Sequence, residues 1–340
     1  MQAFQVKAPH DFDVAEQPAP VAAPGEVVVD VAFAGICGSD MHIIHGDNAF
    51  VRFPRITGHE FAGVISAVGD GVDAARVGER VCIDPVVSCG RCYPCRIGRP
   101  NVCSAMQVIG VHRNGGFADQ VNVPAANAHK IPDDLDLDAA ALVEPYSIAA
   151  NVLSRMDPQP GDRLLVIGAG VIGLTVLQMA RAIGLEEVIV TDILDQRLAT
   201  ARELGAGHTI NGRDEDLEAA ITAVTDGEGI PLIADAACVP AMLPAMLRMA
   251  CPAGRIGLLG FSPTPSDLVQ LEVIKKELTL VGSRLNNHKF PEVIAHIAAG
   301  RLDPKALISH RVALKEMPQA IDLLDHHPET ARKVLVRIGH

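Results

Sequence analysis

The segment LLVIGAGVIG, residues 164–173, constrains this chain more than any other. An apolar run stops at Gly168, two further glycines follow at 170 and 173, and a helical apolar pattern then begins. A strand that enters a helix through Gly-x-Gly-x-x-Gly is the opening of a β-α-β unit suited to a dinucleotide. Gly168 is expected to make the tight turn, Gly170 to admit a pyrophosphate close to the backbone, and Gly173 to let helix pack on strand. Val171 and Ile172 open the helix, whose free N–H groups and positive dipole end face the phosphates. Asp192 ends the next strand about twenty residues on, where a carboxylate accepts hydrogen bonds from the adenosine ribose and repels a 2′-phosphate. No basic residue follows directly in DILDQ, so NAD(H) is expected over NADP(H), with Arg197 counted among the residues at the cofactor. The competing reading is a nucleotide-free α/β domain in which Asp192 only caps a helix. Residues 164–185 are apolar enough to suggest a membrane span, but the glycines and Arg181 favour a buried strand and helix.

The pattern around this motif divides the chain. Up to about residue 150, short strands such as EVVVDVAFAGIC, FAGVISAVGDGV and GERVCIDP alternate with Gly- and Pro-rich turns. No long helical pattern appears before residue 139. From 151 onward strands and helices alternate: EEVIVTD, then DQRLATARELGA, DEDLEAAITAVTDG, PLIADAA, a helix VPAMLPAMLRMACPAG ending at Gly254, then RIGLLGF and LTLVGS. Such alternation implies a doubly wound parallel sheet. After about 285 come two amphipathic helices, FPEVIAHIAAG and MPQAIDLLDHH, and a last strand KVLVRI; periodicity does not say which domain they join. The 340 residues suit two domains. A net charge of −12 disfavours nucleic acid or an anionic membrane surface as partner. The N-terminus shows no basic start followed by an apolar run, so a cytoplasmic protein is expected. In that compartment clustered cysteines hold metal more often than they form disulfides.

Two sets of residues carry metal chemistry. Cys89, Cys92, Cys95 and Cys103 are spaced C-x2-C-x2-C-x7-C, which is open to a redox site, a zinc ribbon, a catalytic metal or a clamp on a loop. Four thiolates close a tetrahedron around zinc and leave no open position, which favours the clamp. Cys37, His59 and Glu60 offer thiolate, imidazole and carboxylate, a catalytic set of three ligands with one position free. Each alone is unremarkable; their company with a nicotinamide domain gives them weight. Glu144 precedes Pro145 at a helix start, where an acid favours the dipole, and it is also a candidate for a metal or water contact. Cys82, Cys238 and Cys251 lie in apolar contexts and are read as buried thiols.

Taken together, ICGSDMH, ITGHEFAG, the four-cysteine loop, GGFADQV, VEPYSIA and VIGAGVIGL resemble the zinc-containing medium-chain dehydrogenases, in the polyol (sorbitol-type) branch. The resemblance covers nearly the whole chain. It implies an α/β protein with a GroES-like β-rich catalytic domain, 1–150 completed by 286–340, and a Rossmann domain, 151–285, with the active site in the cleft between them. It also implies one catalytic and one structural zinc per chain, NAD(H), and a homodimer or homotetramer paired through Rossmann sheet edges. Cys37, His59 and Glu60 match the zinc ligands, and Glu144 matches a position that supplies a ligand or holds water where alcohol dehydrogenases have cysteine. Ser39 and His42 match the proton relay, with His42 passing the proton toward solvent through the cofactor ribose. Zinc then lowers the pKa of a substrate hydroxyl, and hydride moves to the nicotinamide.

The look is nearest to bacterial sugar-acid dehydrogenases that oxidise the C5 hydroxyl of L-idonate, L-galactonate or L-gulonate; a neutral polyol is the alternative. A substrate carboxylate would be held by a basic residue. The candidates lie among His45, His112, Arg113, Asn114, Arg284, Asn286, Asn287, His288 and Lys289, most of which read as solvated loop. Two other classes remain beside these: a non-catalytic sensing or regulatory protein on the same fold, and a zinc-free quinone reductase.

Overall fold

A computed structural model of the chain describes residues 1–327 and 329–339. The chain forms two compact units, Met1–Glu144 with Asn286–His340, and Pro145–Leu285.

Among the described residues, the main sheet of the first unit has seven strands. Its central strand, Glu26–Gly35, buries Val27, Val28, Val29, Val31 and Ala34. One flank pairs antiparallel with Glu60–Val68 along the full length, which sets Gly35 opposite Glu60. The other flank is shared: Gln120–Pro124 covers the first half, and the last strand, Lys333–Arg337, covers the end. That pairing settles the place of the C-terminal tail. Lys333–Arg337 also pairs in parallel with Ile308–Ala313, a strand that ISHRVA hardly advertises because Ser309, His310 and Arg311 interrupt its apolar pattern. A short helix, Gly38–His45, lies within the β-rich half. At eight residues it is too short for periodicity to reveal.

The second unit has six strands among the described residues, and every pairing is parallel. In chain order they are Leu164–Ile167, Val188–Asp192, His208–Asn211, Ile230–Asp235, Ala250–Leu258 and Thr279–Gly282. Across the sheet they run 3-2-1-4-5-6, the doubly wound dinucleotide order, whose switch point lies between the first and fourth strands. The central strands are apolar on both faces, as the buried LLVI shows, since helices cover both sides of such a sheet. On one face Leu165, Ile189, Ile233 and Ile256 pack with Ile221, Met246 and Leu247.

The structure departs from two expectations. The helix expected to reach Gly254 ends at Met249, and Ala250 already begins a strand that starts irregularly, with Ala253 at φ 60°. An apolar run such as MACPA serves a helix or a strand equally. Cys82 is buried, but Cys238 and Cys251 are only half-buried. Cys238 lies outside any helix or strand at φ 58° and Cys251 in that irregular strand start, so neither occupies a regular core position. No helix among the described residues is long and apolar enough to cross a membrane.

Candidate active site and metal centres

Cys37 ends the central strand's exit and stands at the N-cap of Gly38–His45. His59 and Glu60 arrive from the neighbouring strand, where Glu60 is the first residue of Glu60–Val68. One donor atom from each of Cys37, His59 and Glu60 lies within 4.8 Å of the others. Glu60 is 1% and His59 6% exposed. A Cβ on Gly35 would fall 2.2 Å from Glu60 Oε2, so only glycine leaves room for the carboxylate.

Asp40, fully buried, organises this corner. Its Oδ2 accepts from Cys37 N at 2.9 Å and its Oδ1 from Gly58 N at 3.1 Å. Oδ1 also lies 3.6 Å from His59 Nδ1, a buried nitrogen with no hydrogen-bond partner among the described residues. Burial opposes a charge on His59, but the Asp40 carboxylate and the Cys37 thiolate outweigh it and raise its pKa well above the usual histidine value. A carboxylate behind Nδ1 is the arrangement that turns Nε2 toward a metal. Thiolate, imidazole and carboxylate in reach of one point are a zinc donor set, so the residues fit that ion. Ser39 Oγ lies 3.3 Å from His59 Nε2, and His42 stands exposed three residues along the same helix.

Behind Glu60 is Lys333. Its Nζ donates to Glu60 Oε2 at 2.7 Å and Oε1 at 2.8 Å, and to the Ile36 carbonyl at 2.9 Å. Burial opposes this charge as well, but Glu60 and the Cys37 thiolate outweigh it and keep the ammonium charged. Glu144, in the first turn of Val143–Met156, is 4% exposed and is not part of the 4.8 Å group. Burial pushes its carboxyl up to about 8; Glu60 and Asp84 add to the shift while His59 and Lys333 oppose it.

The four-cysteine loop forms the second metal-type group among the described residues. Cys92 Sγ lies 3.4 Å from Cys95 Sγ and 3.6 Å from Cys103 Sγ. Tetrahedral zinc with bonds of about 2.3 Å spaces its sulfurs at roughly 3.8 Å. The thiols are free rather than disulfide-bonded. Backbone N–H groups of Cys89 and Ala105 each donate to Cys103 Sγ at 3.3 Å. Amides of Cys95 and Ser104 pull Cys92 down to about 6, while desolvation and its sulfur neighbours push Cys95 up to about 11. The loop therefore shares its protons among close thiols, and a metal that replaces them fits.

In the second unit the three glycines have three reasons. Gly168 has φ 95°, and Gly173 approaches so closely that a Cβ would lie 1.7 Å from the Gly168 carbonyl. A Cβ on Gly170, the N-cap of Val171–Ala182, would meet nothing within 4 Å, so the space above it is open. Val171 and Ile172 form the first turn, half-buried. Asp192 ends its strand as expected, but its carboxylate already works within the protein. Oδ2 accepts from Ala169 N at 2.8 Å, and Oδ1 from Ile193 N at 2.8 Å and Leu194 N at 3.1 Å. Arg197 lies 3.8 Å from Oδ2. The acid thus ties the glycine turn to the second strand.

Most candidates for holding a substrate carboxylate have other partners. Arg113 pairs with Glu26, Lys289 with Glu292, and His45 with Asp325. Asn286 donates to Asp84 and Asn287 to the Gly98 carbonyl. Asn114 accepts from Arg55, His112 Nδ1 from Val108 N, and Arg284 lies over the Phe261 ring. Asp84 is itself raised by burial, with His288 nearby lowering it. Sequence reasoning overlooked Asp40 and Lys333. Asp40 had a signal, an acid three residues after an N-cap that can reach back to the cap's N–H. Lys333 had none.

The comparisons with known proteins agree with this geometry. Residues 23–133 match the alcohol dehydrogenase GroES-like domain, and residues 171–299 the zinc-binding dehydrogenase family. The chain is 45% identical to the starvation-sensing protein RspB of Escherichia coli K12 over 337 residues, 99% of each chain. It is 34% identical to 2-dehydro-3-deoxy-L-galactonate 5-dehydrogenase of Pseudoalteromonas atlantica over 331 residues, 97% of this chain and 96% of the relative. The crystal structure of RspB from E. coli CFT073, complexed with NADH, superposes with a TM-score of 0.95 at 44% identity, covering 99% of both chains. The chain belongs to the zinc-binding, NAD-dependent medium-chain alcohol dehydrogenases.

Proposed function

We propose that the protein oxidises the C5 secondary alcohol of a sugar acid, such as L-gulonate, L-galactonate or L-idonate, with NAD+ as hydride acceptor. The convergence of Cys37, His59 and Glu60 beside Ser39 supports the reaction class. The 34% identity to a galactonate-type 5-dehydrogenase supports the substrate class. Cys37 and His59 hold the metal, with Asp40 fixing the imidazole. Zinc, when bound there, supplies Lewis-acid polarisation of the substrate oxygen. Ser39 takes the hydroxyl proton and His42, exposed on the next turn, passes it to solvent. The Gly168–Gly170–Gly173 turn and the helix N-terminus hold the NAD pyrophosphate, and Asp192 with Arg197 lies at the ribose. Glu144, whose buried carboxyl is pushed up to about 8, holds a water or, once it has given up its proton, ligates the metal in turn. Cys89, Cys92, Cys95 and Cys103 hold a structural zinc.

The same proposal includes a homo-oligomer and a cytoplasmic location. Thr279–Gly282 is an edge strand, and Leu268, Val269, Leu271 and Ile274 nearby in sequence are exposed, which suits pairing with a second copy. Eight free thiols suit a reducing compartment. Comparing kcat/KM for an aldonate and its neutral polyol, at fixed NAD+, tests the substrate. A clear preference for the aldonate is expected; equal values exclude a carboxylate-recognising site. Zinc and NADH binding without turnover on any alcohol would point instead to a sensing role.

A further inference from the structure

Lys333 is 2% exposed, an uncommon place for a lysine. Its three bonds, two to the Glu60 carboxylate and one to the Ile36 carbonyl, use every proton of the ammonium. The two oxygens that Glu60 offers to a metal are therefore the two that face a cation already built into the protein. The ammonium spends none of these bonds on Cys37 or His59: Cys37 is supported through its backbone by Asp40, and His59 is supported by a carboxylate. A carboxylate has lone pairs enough for both cations, but each cation weakens its hold on the other. The three donors are thus unequal. Glu60 alone is hydrogen-bonded to the ammonium.

We propose that Lys333 is a positioning residue that keeps Glu60 a displaceable ligand, so that the fourth position near Cys37 and His59 stays available to a substrate oxygen. This inference rests on the reading of Cys37, His59 and Glu60 as the catalytic zinc site. Without Lys333, the buried Glu60 carboxylate has the metal as its nearest counter-charge and closes on it. Lysine to arginine keeps the charge and the donors; lysine to methionine keeps the length and removes both.

The test is the rate at which zinc leaves the full-length protein for an excess of a chromogenic chelator, followed by absorbance. The proteins compared are the wild type, Lys333→Met, Lys333→Arg, Glu60→Gln and the double variant. Lys333→Met is expected to slow release of one zinc per chain about tenfold, the usual size of effects from groups just outside a metal's ligands. Lys333→Arg should release it at the wild-type rate. Glu60→Gln should change release little in the wild type and abolish the slowing in the Lys333→Met background. Should Lys333→Met not fold, Lys333→Gln carries the same expectation, because it too removes the charge. Release from the neutral variants as fast as from wild type, or faster, overturns the proposal. If Cys37→Ser releases the same zinc complement as wild type, the underlying metal-site reading has failed instead, and the two failures are distinct.

Discussion

The two thiol-bearing centres of the first unit differ in almost every physical respect. The four-cysteine loop gathers its donors from residues 89–103 alone, three half-buried and Cys103 buried, with backbone amides as their support. The Cys37 centre draws donors from the end of one strand and the start of another, buries His59 and Glu60 while Cys37 stays half-buried, and surrounds them with Asp40, Lys333 and Glu144. A loop that supplies four like donors satisfies zinc completely and has nothing left for a substrate. A centre with three unlike donors, one held by an ammonium, would keep a position open, and in the proposed reading the groups around it move protons. The lesson is that metal affinity needs only local sequence, whereas reactivity needs long-range packing.

The largest effect is expected at the Cys37 centre. His59→Ala should lower turnover about a thousandfold, beyond the loss of a single catalytic hydrogen-bond donor, while NADH binding measured by fluorescence titration persists. Turnover within tenfold of wild type contradicts the assignment. At the four-cysteine loop Cys95→Ser should do the opposite. It should lower Tm by about 5 °C or more, roughly 2 kcal/mol for a domain of this size, with turnover of the folded fraction retained. Between these, Asp40→Asn should weaken binding of the catalytic zinc about 10–100-fold, read by competition with a chelator, and leave the loop's zinc in place.

The smallest effect sharpens the boundary of the active centre. Burial alone would push the Glu26 carboxyl up, but hydrogen bonds from Arg113 and Asn122 outweigh it and lower its pKa. A depressed carboxylate contributes stability above its ordinary value of 4.5, and that contribution is lost as pH falls through the depressed value. Arg113→Met should therefore cost about 1 kcal/mol or less near pH 7, and progressively less in acid, because the pair is partly exposed. KM for the sugar acid should not change. A raised KM with unchanged Tm would return Arg113 to the substrate site.

How far the sequence could be read follows the same division. The glycine turn was legible because each of its glycines answers a constraint within six residues: a positive φ, an open face, a close approach to the strand. The cysteine loop was legible for the same reason. Cys37, His59 and Glu60 were readable as a donor set from their chemistry beside the nicotinamide motif, but their convergence was not, since helix start and strand start meet only through the pairing of Gly35 with Glu60. Lys333 was invisible, being separated from Glu60 by 273 residues and reading simply as the polar first residue of KVLVRI. Cys238 and Cys251 misled for the converse reason, because apolar neighbours in sequence do not guarantee a regular element around them.

The central claim is that the chain has two zinc centres, and that only the one at Cys37 performs chemistry. Zinc content and turnover of purified wild type and Cys37→Ser, measured on the same preparations, address it directly. Two zinc ions per chain with activity in the wild type, and one without activity in Cys37→Ser, are the expected results. Activity retained in Cys37→Ser, or an unchanged zinc content, would contradict the account.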